Sequence, residues 1–144
     1  MGYTNYWRMG SSKKEFSPAI IGKVKRICKT YQEVYGEKLV GGFFKRNEEP
    51  IVNKKQIQFN VPSDETGEDF YINLDHRIDS NFCKTCREKY DAAVKAVIMV
   101  LQSAGYITQW KFDASILTDE EEFKEAVKLL EKTGMKYTSK MMPR

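Results

Sequence analysis

Histidine is nearly absent from this chain: 144 residues hold one, His76, along with three cysteines, four prolines and two tryptophans. Three cysteines cannot all pair within one chain, so Cys28, Cys83 and Cys86 fit a reducing interior better than an export route. No apolar run approaches the ~18 residues needed to span a bilayer. The opening residues are polar and aromatic and lack the basic start and apolar stretch of a signal peptide. Tyr6 stands where a myristoylation signal has Ser or Thr. A cytoplasmic protein with no membrane partner is expected. Also missing are a Walker A loop, a dinucleotide-binding glycine fingerprint and a His-Glu-x-x-His zinc motif. Nothing positive supports enzyme chemistry, and no cofactor is expected.

Apolar residues make up 41% of the chain, including eight Tyr and eight Phe, which is enough for a core without metal or disulfide staples. The length fits a single α+β domain over 1–144, with a basic, Met-rich tail at 135–144 that is free to be flexible. Charge is uneven. Residues 1–46 carry ten basic and three acidic groups, whereas 47–79 carry three basic and eight acidic. A basic end of this kind attracts nucleic acid, nucleotides or acidic proteins, although ordinary solvated faces also look like this.

Periodicity predicts the elements. Ser17-Pro18 opens an amphipathic helix over 18–35 that Gly36 ends. Leu39–Phe44 reads as a short strand with a Gly-Gly bend. Alternation in 56–60 and 70–74 gives a hairpin with a wide acidic connection. Residues 86–104 form a mostly buried central helix, with Thr85 and Glu88 at capping-box spacing. Tyr106–Phe112 reads as a strand with Tyr106, Thr108, Trp110 and Phe112 on one face. Thr118 and Glu121 open a helix over roughly 119–132. The expected fold is a small antiparallel or mixed sheet packed against the central helix and two amphipathic ones.

Two constellations suggest a binding site. At the predicted start of the central helix, free amides near Thr85, with Lys84 and Arg87, suit an anion, and Phe82 could stack on a base. Near the N-terminus, Tyr3, Tyr6, Trp7 and Arg8 pack in the core, add an edge strand to the sheet, or line a pocket. Asn60 and Tyr90-Asp91 are weaker candidates, with an Arg87–Asp91 helix-surface ion pair as the default. Cys83-x-x-Cys86 could be a redox pair or, with Cys28 and His76, a zinc site, yet two part-buried small residues is the simpler account. His76 beside Asp75 and Asp79 could act as a base, or be an ordinary loop residue. Lysines recurring every fourth residue from Lys124 to Lys140 would form a ridge only if the helix ran through Gly134.

Gly2-Tyr3-Thr4-Asn5-Tyr6-Trp7, Phe59-Asn60 and Phe82-Cys83-Lys84-Thr85-x-Arg87-x-x-Tyr90-Asp91 together resemble the marks of a small-protein family found in phages and mobile elements. The chain departs from that pattern at Val61, Cys86 and Lys89, where the family often has Gly, Ala and Pro. The resemblance implies a counter-defence role in the host cytoplasm, sequestering a nucleotide signal.

The expected activity is therefore non-enzymatic binding of a small anionic, nucleotide-like ligand by a homo-oligomer. The expected site is Tyr3, Tyr6, Trp7, Arg8, Asn60, Phe82, Lys84, Thr85 and Arg87. The alternatives are a nucleic-acid or protein-binding module using helix 18–35 and the tail, and a thiol- or zinc-dependent enzyme.

Overall fold

The computed structural model describes residues 3–62, 67–78, 80–113 and 120–144. It is an α+β fold with two three-stranded antiparallel sheets. The first sheet has the order β5-β1-β6, built from β1 (Thr4–Met9), β5 (Ser80–Lys84) and β6 (Ile107–Phe112). The second has the order β2-β3-β4, from β2 (Ile51–Val52), β3 (Gln56–Phe59) and β4 (Phe70–Asn73). Three helices accompany them: α1 (Pro18–Tyr35), α2 (Asp91–Ser103) and α3 (Glu121–Lys132).

Local chemistry sets the bounds of α1 as expected. The Ser17 hydroxyl accepts the Ile20 amide at 3.2 Å, Pro18 occupies the first turn, and Gly36 closes the helix at φ 69°. Ile20, Val24, Ile27, Cys28 and Tyr31 form its buried stripe. The central helix α2 is buried on nearly every side, packing on β6 and between α1 and α3. The two sheets meet through Trp7, whose ring lies 5.1 Å from Phe70, which in turn contacts Phe59.

The predicted hairpin is present as β3–β4, with Phe59 opposite Phe70. The expected Leu39–Phe44 strand reduces to one bridge, between Val40 and Asn60. Gly42 turns the chain at φ 148°, and Phe44 is left exposed. The N-terminal segment is a central strand rather than an edge, because β5 and β6 both pair with it. In β6, a register shift opposite Arg8 and Met9 buries Ile107 and leaves Thr108 exposed, which breaks the simple alternation expected there.

The central helix starts five residues later than its spacing predicts. Cys86 and Arg87 adopt left-handed φ values of 56° and 59°, which no helix turn can contain. The cause lies elsewhere in the chain: the Thr85 and Cys86 amides both donate to the Tyr3 carbonyl, at 3.0 and 3.2 Å. In α3 the expected inward stripe is Phe123, Ala126, Val127 and Leu130; Phe123, Ala126 and Leu130 are buried with Leu129, Val127 is only partly buried, and Thr118 lies outside the described residues. Gly134, at φ 87°, ends the lysine spacing as a helical ridge. The tail then runs back along the core. Gln102 donates to the Lys140 and Met142 carbonyls, Trp110 donates to the Met141 carbonyl, and the Arg144 amide donates to Trp110.

Candidate functional site

Strand β1 divides the candidate residues between two environments. Side chains alternate across a strand, so Tyr6 and Arg8 face outward while Asn5 and Trp7 face the core. Register carries the division across the sheet. Tyr6 sits opposite Phe82 on one side and Lys111 on the other, and Arg8 sits opposite Ser80 and Gln109. Lys84 follows two residues after Phe82, opposite Thr4.

The outer face therefore carries two aromatic rings as direct cross-strand neighbours. Phe82 is 61% exposed and Tyr6 36%. Water gains nothing from these rings, so neither their exposure nor their pairing is explained by core formation. Exposed cations surround them: Arg8, Lys84 and Lys111 on the strands, and Arg144 at the β6 side, where its backbone amide donates a hydrogen bond to the Trp110 carbonyl. The Lys111 ammonium lies 5.8 Å from the Tyr6 ring, at the outer limit of a cation–π contact. Tyr6, Arg8, Phe82, Lys111 and Arg144 line an open groove of about 490 Å³, and Lys84 lies on β5 outside that lining. Among the described residues, two acids near these strands are engaged with backbone. Asp113 accepts the Thr4 amide at 3.1 Å, and Glu68 accepts the Lys84 amide at 2.8 Å.

Behind the same strand is a closed polar network. Lys95, in the middle of α2 and fully buried, donates to Asp91 at 2.6 Å and to the Tyr3 hydroxyl at 2.9 Å. Its ammonium also lies 4.4 Å from the Tyr3 and Phe112 rings. Asp91 accepts Asn5 at 2.8 Å and Thr85 at 2.6 Å. The Tyr3 hydroxyl donates to Glu120, and Arg87 stacks over the Tyr3 ring while bonding Glu120 and Glu122. Burial lowers the Lys95 pKa, with Asp91 opposing, and burial with the Asp91 charge raises that of Tyr3. Charge-assisted bonds of this kind fix one geometry.

The structure thus redistributes the predicted site. Tyr6, Arg8, Phe82 and Lys84 share the outer face. Tyr3 and Trp7 belong to the core, and Thr85 is buried against Asp91. The anion recess expected at Thr85 is closed, since the Thr85 and Cys86 amides are taken up by the Tyr3 carbonyl. Arg87 pairs with Glu120 and Glu122, and Asp91 pairs with Lys95 rather than with Arg87. Asn60 ties a loop together, donating to Asp69 at 2.8 Å and to the Gly67 carbonyl at 3.1 Å. Gly67 is needed there, because any Cβ would collide with the Tyr90 hydroxyl.

Sequence reasoning missed Lys111, Arg144 and the Asp91–Lys95 pair. Lys95 had a readable signal: it is the only charge after Asp91 within an otherwise apolar helix, at i+4 spacing. The thiol reading gains no geometry. Cys83 is buried and its pKa is pushed up by desolvation, while burial pushes Cys28 up to about 12. Among the described residues no three His, Cys, Asp or Glu side chains cluster as metal ligands, and no helix is long and apolar enough to cross a membrane. Compared with protein-family models, curated proteins and solved structures, the chain matches none.

Proposed function

We propose that this chain is a binding protein whose ligand is nucleotide-like, held without covalent chemistry on the outer face of the β5-β1-β6 sheet. One observation carries the reading: Tyr6 and Phe82 are directly opposed, exposed, and flanked by Arg8, Lys84 and Lys111. Flat rings stack on bases whatever their sequence, and cations supply the charge that phosphates require. The Lys95 network supports a structural role instead, because Lys95 and Tyr3 are sealed from solvent and already satisfy one another. Sequestration of a nucleotide signal, as the family resemblance implies, is the biological role that agrees with this reading.

Calorimetry with cyclic and linear nucleotides, from single nucleotides to short chains, tests it. A binding heat that Phe82→Ala abolishes is expected. Absence of heat with every compound, or heat unaffected by that substitution, overturns it.

A further inference from the structure

We propose that the ligand of this face is single-stranded nucleic acid, lying across the three strands with successive bases on Phe82 and Tyr6. Its phosphates would lie between Lys84 on one side and Lys111 and Arg144 on the other. The proposal rests on the nucleotide reading above and narrows its ligand class.

Three features separate a chain from a single nucleotide. The first is the number of rings. Tyr6 and Phe82 stand side by side on paired strands and both are exposed, so the face offers two rings for stacking. The second is the placement of charge. Lys84 lies on β5 opposite Thr4 and Lys111 on β6 opposite Tyr6, with β1 between them, so their backbones stand about 12 Å apart at ordinary strand spacing and rise. Arg8 and Arg144 extend the basic area further. Cations on both sides of the rings match phosphates set apart along the ligand rather than joined in one polyphosphate. The third is shape. Pockets for small molecules enclose most of their guest, whereas this groove is broadly open to solvent.

Unpaired bases are favoured over a duplex on the same grounds. A ring on a sheet can stack only on a base whose face is free, and duplex bases are covered by their own neighbours. The charge pattern argues for an anionic partner rather than a second copy of this chain. A copy laid on the same face would set Arg8, Lys84, Lys111 and Arg144 against the same cations, and among the described residues the nearby Asp113 and Glu68 are engaged with backbone amides.

The test uses the full chain and fluorescein-labelled ten-nucleotide oligo-dT and oligo-rU, a ten-base-pair duplex, and the mononucleotides AMP, GMP and UMP. Anisotropy and competition should place the single strands at least about tenfold tighter than the duplex and the mononucleotides. Tyr6→Ala and Phe82→Ala should each weaken oligonucleotide binding by about tenfold or more. The slope of log K against log salt should be about −2, corresponding to roughly three phosphates. Equal affinity for mononucleotides and oligonucleotides would overturn this inference and leave the nucleotide reading standing. No binding of any probe would remove both. Duplex binding as tight as single-strand binding overturns the inference, as does oligonucleotide affinity indifferent to both ring substitutions. Self-association lost in Phe82→Ala while oligonucleotide affinity is retained would assign the face to a second copy and overturn it too.

Discussion

Tyr6 and Trp7 are neighbours in one strand, yet they belong to different kinds of surface. Trp7 faces inward, buried against Phe70 and opposite Trp110, in a layer where each group has one neighbour set. Tyr6 faces outward beside Phe82 and Lys111, on a surface that is charged and open. The inner face uses its cation, Lys95, to hold Asp91 and Tyr3; the outer face leaves Arg8, Lys84, Lys111 and Arg144 toward water. The difference separates charge that fixes a fold from charge that can meet a partner.

Substitution on each side would sharpen or break this comparison. Trp7→Ala should have the largest effect, about 3–5 kcal/mol lost in urea unfolding, because it empties a large buried site. Asp91→Ala should come close, at about 3–5 kcal/mol, since it strands the buried Lys95 charge and leaves Asn5 and Thr85 without their acceptor. If either variant unfolds at the same urea concentration as the parent, the inner network is not what secures the sheet.

The inner face should also make the protein sensitive to alkali. Tyr3, Tyr31 and Tyr90 are buried and their pKa values are raised from 10.0 by desolvation. Above pH 10 the unfolded chain loses these protons while the native state keeps them, so stability falls as pH rises. Each phenol contributes about 1.4 kcal/mol per pH unit within that window. Cys28 and Cys83 act with the same sign from their ordinary 9.0 upward, whereas the lowered Lys95 pKa acts in the opposite direction below 10.5. The acids outnumber the lysine, so urea midpoints measured from pH 8 to 11 should decline above about pH 9 to 10. A rising midpoint would contradict the burial of these groups.

Outer-face variants should reverse the balance. Tyr6→Ala should cost about 1 kcal/mol or less in stability, the scale of a cross-strand pair, while removing most nucleotide affinity. Lys111→Gln should be the mildest, changing stability by less than about 0.5 kcal/mol and reducing the salt slope of binding by about 0.7. A loss of stability as large as that of Trp7→Ala would show the outer face to be structural after all.

What could be read from the sequence was local. Ser17, Pro18 and Gly36 specify α1 through contacts within a few residues, and alternation around Ile57 and Ile72 specifies the β3–β4 hairpin. The position of β1 was not readable, since its partners are remote and no turn announces them. The start of α2 was misplaced for the same reason: Thr85 and Glu88 have the spacing of a cap, but the distant Tyr3 carbonyl captures the amides and turns Cys86 and Arg87 left-handed. At the site, the residue types at Tyr6, Arg8, Phe82 and Lys84 were visible. Strand alternation alone would have separated Trp7 from Tyr6. Bringing Lys111 and Arg144 to the same face required the sheet order and the path of the tail.

The central place of β1 has a consequence for how the molecule assembles. Eighty positions separate Thr4 from Lys84, and 107 separate Asn5 from Phe112. On the ribosome the first strand is made early and waits, unzipped on both edges, until most of the polypeptide has emerged. Long-range closure of this sort slows folding and lengthens exposure of an aggregation-prone edge. Helix α1 is specified by residues close in sequence, whereas the surface that carries Tyr6 and Phe82 requires pairing between segments far apart in the chain.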